Sequence, residues 1–130
     1  MAGGIGSRFW PVSRNSMPKQ FLDILNTGKS FLQETFERFA KIVPTENILC
    51  VTSTKYGEKV KEQLPDMLEE NILMEPLRRN TAPCIAYATY KIAKRNPDAV
   101  VVVTPSDHAI LNEVEYLNTI SGAMEYSKSH

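Results

Sequence analysis

The chain has 130 residues, a length typical of one domain, and 42% of them are hydrophobic, as in globular proteins. Fifteen basic and fifteen acidic residues give zero net charge, which argues against the basic face of a nucleic-acid-binding protein. We find no run of 18 apolar residues and no signal-peptide pattern. Cys50 and Cys84 lie in apolar contexts without metal-site spacing. We therefore expect a cytoplasmic protein with two buried free thiols, and no nucleic-acid or membrane partner.

A glycine-rich segment opens the chain, and its backbone can wrap an anion. Gly3, Gly4 and Gly6 leave backbone N–H groups uncovered by side chains. Arg8 and Lys19 add two positive charges near this segment, which suits a polyphosphate ligand. The spacing matches neither the P-loop nor the dinucleotide-binding fingerprint. The alternative interpretation is an ordinary turn with two solvated charges.

Apolar runs and amphipathic stretches alternate along the rest of the chain. Short or continuous apolar runs predict strands at residues 21–24, 48–52, 72–75 and 100–104. Helical spacing predicts helices from a capping box at Ser30 and Gln33 to Pro44, over residues 56–64, from Thr81 to residue 96, and around 114–124. The valine run at 100–103 indicates a strand buried on both faces.

This alternation predicts an α/β fold with a doubly wound, mostly parallel sheet, a Rossmann-like architecture. We treat residues 1–130 as one domain. The glycine loop would follow a strand only if a strand preceded Met1. In such sheets ligands bind beyond the carboxyl ends of the strands. The glycine loop and the loops at 76–81 and 105–108 are therefore expected to converge on one crevice.

Asp107 directly follows the valine run, where a carboxylate is well placed to hold Mg²⁺ together with phosphate and water oxygens. The alternative is that Asp107 caps the following segment. The neighbouring His108 is expected to be packed rather than a ligand, because phosphate-bound Mg²⁺ prefers oxygen ligands.

The segment from Glu75 to Pro83 combines a strand end with a helix start. Asn80 and Thr81 lie where backbone and side-chain groups can face a ligand at the N-terminus of a helix. A simple helix cap would explain Thr81 equally well, but it explains Glu75 less well.

Four ordered blocks of this sequence resemble the sugar-nucleotide pyrophosphorylases. They are AGGIGSRFWP at 2–11, PKQF at 18–21, EP at 75–76 with RNTAP at 79–83, and PSDH at 105–108. The GGxGxR core is shared across that superfamily. The WP pair, the RNTAP block and the PSDH block favour its mannose and guanine branch.

The resemblance implies transfer of GMP from GTP to mannose 1-phosphate, giving GDP-mannose and pyrophosphate with Mg²⁺ as cofactor. It implies catalytic roles for Arg8, Lys19 and Asp107, with Asp107 as the metal ligand. The implied nucleotide-binding residues are Ala2, Gly3, Gly4, Gly6, Ser7, Arg8, Lys19, Glu75, Asn80, Thr81 and Ser106.

Members of that family are more than twice as long, and their first strand precedes the position of Ala2. The resemblance therefore identifies the chain as an N-terminal piece, inactive alone, lacking most of a central first strand and the C-terminal half. Unpaired edges inside the sheet predict association with another chain, giving a homo-oligomer, or marginal stability.

Three alternatives stay open at this stage. The first is a transferase for another pair, such as glucose 1-phosphate with UTP or dTTP. The second is a non-catalytic, nucleotide-binding regulatory subunit that keeps the fold. The third is a structural α/β module whose glycine loop is only a turn, although Arg8, Lys19 and Asp107 together speak against it.

Overall fold

A computed structural model describes residues 1–2, 13–14, 16–76 and 80–129 of the chain. Within these ranges two strands, β1 (Cys50–Ser53) and β2 (Ile72–Glu75), alternate with helices. The α-helices are α1 (Phe31–Phe39), α2 (Gly57–Gln63), α3 (Thr81–Arg95) and α4 (Glu113–Ser129). No helix in these ranges is both long and apolar enough to cross a membrane.

The sheet is parallel, as the sequence predicts. Strands β1 and β2 pair in register from Cys50 opposite Ile72 to Ser53 opposite Glu75, and α2 lies between them in the chain. All four residues of β1 are buried. Burial of a whole strand is typical of parallel sheets covered by helices on both faces, so the α/β prediction is confirmed.

The first two residues lie beside β1 as a short strand end. The Ala2 N–H donates to the Val51 carbonyl at 2.7 Å. On the other side, the Met1 ammonium donates to the Thr104 carbonyl at 3.0 Å, and the Ser106 N–H donates to the Met1 carbonyl at 3.2 Å. Met1 and Ala2 therefore stand between β1 and residues 104–106, in the central position expected for the first strand.

The strand predicted at 100–104 is not formed as a strand within the described part of the chain. Val102 and Val103 are 37% and 44% exposed, so burial on both faces is also wrong. The physical reason is that a strand forms only where its backbone pairs with a neighbouring backbone. On one side of this run Met1 bonds to Thr104 and Ser106, and within the described ranges residues 100–103 have no paired backbone.

The main core lies between α1, α2 and β1. It contains Ala2, Phe21, Leu32, Cys50, Tyr56, Val60, Leu64, Met67 and Ile72. The predicted capping box starts α1: the Gln33 N–H donates to the Ser30 hydroxyl, and the Ser30 N–H donates to the Gln33 side chain. Helix α1 ends at Phe39, short of the Pro44 boundary that the sequence predicts.

The predicted strand at 21–24 is wrong. Lys19–Phe21 forms a 3-10 turn, and the next residues turn back toward α1. The Asp23 carboxylate accepts the N–H groups of Thr27 and Gly28, while Asn26 and Gly28 adopt positive φ values of 57° and 82°. A carboxylate that binds nearby backbone N–H groups stabilises a turn in place of an extended strand.

Helices α3 and α4 bury less surface than the sequence predicts. Only Cys84 of α3 is buried, and Ala86, Thr89 and Ala93, which we place on its apolar face, are exposed. Val114 of α4 is 72% exposed, whereas Leu117 is buried. Periodicity alone cannot tell a helix face that contacts this chain from one that does not.

Candidate nucleotide site

The predicted loop residues Gly3, Gly4, Gly6, Ser7 and Arg8 lie outside the described residues. Their immediate neighbour Ala2 is described, and it is 1% exposed. The geometry at Ala2 therefore describes the residue to which this predicted loop is joined.

Two buried side chains hold the Ala2 carbonyl. The Gln20 side-chain amide donates to it at 2.8 Å, and the Thr52 hydroxyl donates to it at 3.1 Å. Gln20 is 3% exposed and Thr52 is fully buried. A carbonyl with two protein donors away from water has little freedom to reorient. The start of the glycine loop is thus tied to β1 and to the turn at residues 19–21.

Ser106 binds the carbonyl of Met1, the residue before Ala2, in a similar way. Its hydroxyl donates to the Met1 carbonyl at 2.7 Å, and its backbone N–H donates to the same atom. Ser106 is 3% exposed. The structure therefore places this predicted nucleotide-binding residue at the base of the loop, with its hydroxyl proton engaged by the main chain.

Lys19 lies next to this anchor, because the adjacent Gln20 contacts Ala2 directly. Its ammonium nitrogen is 5.2 Å from the centre of the Phe31 ring, within the range of a cation–π contact. Lys19 is half-buried. The ring quadrupole attracts the ammonium group and helps to hold it at this place beside Ala2.

Asp107 follows Ser106 at the same end of the sheet, and its side chain is 43% exposed. The His108 side chain is 67% exposed, with its Nε2 3.8 Å from the Asp107 carboxylate, so the expectation of a packed histidine is wrong. Asp107 lies in a bend, and the next helix begins at Glu113.

The donor set around Asp107 fits one kind of metal site. The described residues contain no group of three His, Cys, Asp or Glu side chains that could hold a metal ion. A single carboxylate such as that of Asp107 suits a cation that takes most of its ligands from phosphate and water oxygens. That is the usual coordination of Mg²⁺ in sites that handle nucleotides.

Glu75, Asn80 and Thr81 form a second group, at the start of α3. Glu75 ends β2, and its backbone carbonyl accepts the Thr54 hydroxyl at 3.0 Å. Burial first, and the nearby Glu75 carboxylate second, raise the pKa of the Cys84 thiol in the first turn of α3. Glu75 therefore lies within electrostatic reach of that turn.

Asn80, and not Thr81, occupies the cap position of α3. Its backbone has φ 69° and ψ −169°, a conformation that is almost restricted to glycine, and its side chain makes no capping hydrogen bond. Thr81 is the first helical residue and is exposed. The capping role offered for Thr81 is thus wrong by one position, and the side chains of both residues remain available at the surface.

Three polar residues of the site were missed by sequence reasoning. Gln20 and Thr52 hold Ala2, as described above. The Ser53 hydroxyl, at the end of β1, is buried with no hydrogen-bond partner in the described part of the chain. The available signal was a pair of polar residues, Thr52 and Ser53, that end an apolar strand beside a glycine loop.

The two cysteines are free and buried, as predicted. Burial raises the pKa of the Cys50 thiol to about 11. A thiol with that pKa stays protonated at neutral pH, and the thiolate is the nucleophilic form. Neither cysteine therefore belongs to the chemistry of this site.

Comparison with known proteins identifies the fold that carries this site. Residues 1–129 match the family model described as Nucleotidyl transferase. The chain belongs to the nucleotidyl transferase family.

Individual relatives of the chain are more specific than the family description. The chain is 41% identical, over 98% of its length, to mannose-1-phosphate guanylyltransferase RfbM of Salmonella typhimurium. It is 40% identical, over 95% of its length, to mannose-1-phosphate guanylyltransferase 2 of Escherichia coli O157:H7. It spans 27% and 26% of those two proteins. Nucleotidyltransferases generally use divalent metal ions, and the donor set at Asp107 is compatible with one.

Proposed function

We propose that a protein containing this chain, at the length of its relatives, transfers GMP from GTP to mannose 1-phosphate. The observation that carries the proposal is the match of residues 1–129 to the nucleotidyl transferase family, with 41% identity to a mannose-1-phosphate guanylyltransferase. Supporting it, the predicted phosphate loop begins at an Ala2 carbonyl that Gln20 and Thr52 immobilise.

The proposed reaction is one displacement at phosphorus. A phosphate oxygen of mannose 1-phosphate forms a bond to the α-phosphorus of GTP. The bond from that phosphorus to the oxygen bridging to the β-phosphorus breaks, and pyrophosphate leaves with the electron pair. Positioning and charge stabilisation dominate such transfers.

The roles of individual residues follow from charge and position. Lys19, which sits beside the anchored Ala2, stabilises negative charge on the phosphates and on the leaving pyrophosphate. Arg8 takes the same role from the loop itself. Glu75, Asn80 and Thr81 contact the nucleoside at the start of α3.

Asp107 is proposed to hold Mg²⁺ at the carboxyl end of residues 100–104. A bound Mg²⁺ would neutralise phosphate charge and orient the reacting groups. The partly exposed Asp107 carboxylate supports a site completed by phosphate oxygens.

The proposal extends to the whole protein in three respects. The 130-residue chain is inactive alone, because the sugar phosphate needs contacts outside it. The whole protein is cytoplasmic and forms a homo-oligomer. Gel filtration with light scattering, applied to the whole protein, measures the last of these directly.

Pyrophosphate release by the whole protein tests the reaction. The assay supplies Mg²⁺ with GTP and mannose 1-phosphate, and uses GTP with glucose 1-phosphate and UTP with mannose 1-phosphate as controls. We expect turnover that depends on both GTP and mannose 1-phosphate. Turnover with another pair would contradict the substrate assignment and keep the reaction class. Nucleotide binding without turnover on any pair would support a regulatory subunit instead.

A further inference from the structure

Hydrogen bonds tie the backbone of the turn that carries Lys19 to two helices. The Gln63 side-chain amide of α2 donates to the Phe21 carbonyl at 3.1 Å. The Phe31 N–H, at the start of α1, donates to the Leu22 carbonyl at 3.3 Å. The Lys19 ammonium also lies over the Phe31 ring. The turn is therefore held against α1 and α2 on either side of its last residue.

Gln20, in the middle of this turn, binds the start of the predicted phosphate loop instead. Its side-chain amide donates to the Ala2 carbonyl at 2.8 Å, and only 3% of the residue is exposed. A buried hydrogen bond of this kind keeps its partner, because no water is at hand to replace either group. Gln20 directly follows Lys19, and Ala2 directly precedes Gly3. The bond therefore relates the position of Lys19 to that of the loop.

Two donors share the Ala2 carbonyl, and they come from different parts of the backbone. The Thr52 hydroxyl, which is fully buried, donates to it from β1 at 3.1 Å. Thr52 thus relates Ala2 to the sheet, whereas Gln20 relates it to the turn that carries Lys19. The two side chains form a matched pair for experiment, since each removes one donor from the same atom.

The same arrangement recurs beside Asp107. Ser106, the preceding residue, is 3% exposed, and its hydroxyl donates to the Met1 carbonyl at 2.7 Å. Lys19 and Asp107 therefore each have a buried neighbour in the sequence that binds one of two consecutive carbonyls. Charged groups that must be placed to a fraction of an ångström need such supports.

We propose that Gln20 is a positioning residue, which sets the place of the Lys19 ammonium relative to the phosphates at the glycine loop. This inference rests on the proposed function, in which Lys19 stabilises charge on those phosphates. A displacement of about 1 Å can lower the rate of such a reaction by about a hundredfold. A neutral amide suits the task, because it donates a hydrogen bond without placing a negative charge beside the phosphates.

A double-mutant cycle in the whole protein tests whether Gln20 acts through Lys19. Gln20→Met removes the donor and keeps the length of the side chain. In the parent we expect it to lower kcat by about tenfold to a hundredfold. In a Lys19→Gln background we expect it to lower kcat by less than about threefold, because no ammonium is left to position.

Thr52→Val is the matched control, since it removes the other donor to the Ala2 carbonyl. Its effect on kcat should be the same fold-change with and without Lys19→Gln, because Thr52 acts through β1. Gln20→Asn is a second variant, which keeps the amide but shortens its reach by one methylene group. It should show the same dependence on Lys19 as Gln20→Met, and urea unfolding identifies which variants are folded.

Two outcomes would overturn the inference while the proposed function stands. The first is an unchanged kcat in the folded Gln20 variants when Lys19→Gln alone lowers it. The second is an equal fold-change for Gln20→Met in both backgrounds, which would give Gln20 a purely structural role. An unchanged kcat in Lys19→Gln alone would contradict the proposed role of Lys19, and this inference with it.

Discussion

The Ser106 hydroxyl donates a 2.7 Å hydrogen bond to the carbonyl of Met1, a residue 105 positions earlier in the chain. Together with the Ser106 N–H, it fixes the residue that precedes the anchored Ala2. One end of the predicted phosphate loop thus depends on a side chain that lies more than 100 residues further along the chain.

Replacing Ser106 by Ala should destabilise the chain by about 1–2 kcal/mol, because the partly buried Met1 carbonyl loses one of the two donors that Ser106 supplies. Urea unfolding of the variant measures the loss. Ser127→Ala is the matched control, since that exposed hydroxyl bonds only within α4. It should stay within about 0.5 kcal/mol of the parent. Equal effects of the two changes would contradict the anchoring role of Ser106.

Asn80→Gly should be neutral or stabilising, whereas Asn80→Ala should destabilise by about 1 kcal/mol, because only glycine adopts φ 69° with ψ −169° without strain. Asn118, exposed inside α4, supplies the control. There, Asn118→Gly should destabilise by about 0.5 kcal/mol through lost helix propensity. The denaturant midpoints of the three variants show whether each change raises or lowers the stability of the chain. A destabilising Asn80→Gly change would mean that the side chain itself holds this backbone.

Glu113, the first residue of α4, pairs with Arg38 of α1 and with Lys41, which follows that helix. Its carboxylate contacts Lys41 and lies 3.3 Å from the guanidinium of Arg38, whose side chain is only 6% exposed. A hydrogen bond from Lys41, with the charges of Lys41 and Arg38 added, lowers the pKa of Glu113 below its ordinary value of 4.5. A lowered folded-state pKa stabilises the protein above the unfolded-state value, and the effect is lost as pH falls through the folded-state pKa.

Glu113→Gln should therefore weaken the chain at pH 7, by about 1–3 kcal/mol, since Arg38 keeps a largely buried charge without its carboxylate. The difference from the parent should shrink as the pH falls below about 4.5. Unfolding curves across this pH range measure it. Glu125→Gln, which removes an exposed pair with Lys128, should have almost no effect at either pH. A constant difference at all pH values would rule out the ion pair as its source.

In the whole protein, Lys19→Gln should reduce turnover by about a hundredfold or more, because the ammonium group is proposed to stabilise charge that develops in the transition state. Steady-state pyrophosphate release measures kcat and KM separately, and we expect the loss mainly in kcat. Lys29→Gln, which removes an exposed partner of Glu37, should leave both unchanged. Unchanged kcat in the Lys19 variant would remove this residue from the mechanism.

Local sequence signals predicted the correct structure where residues within one element determine that element. The capping box at Ser30 starts α1 as predicted, and the strand at 72–75 has the predicted bounds. The prediction failed where contacts with residues distant in the sequence determine the local structure. Phe21 lies in a short apolar run, yet it belongs to a 3-10 turn and packs on Tyr56. The centroids of the two rings are 5.7 Å apart. The run at 100–103 lacks the neighbour that would make it a strand.

The residues of the candidate site also fall into those that local sequence signals indicated and those that they did not. Lys19 and Asp107 stood out because charged side chains next to a glycine cluster or a strand end have few packing roles. Gln20 and Thr52 did not, because a buried polar side chain that binds one backbone carbonyl leaves no periodic pattern. Such residues can be found only once Ala2 and β1 are seen side by side.

The anchoring of Met1 and Ala2 has a consequence for the order of folding. The partners of these two residues lie at positions 20, 51, 52, 104 and 106. Contacts that close such long stretches of chain form slowly, because the entropy of closure is lost before the contact is gained. During synthesis, residues 1 and 2 leave the ribosome more than 100 residues before residue 106, so their position is fixed only once residue 106 is available. These two residues are thus among the last of the described chain to be set in place.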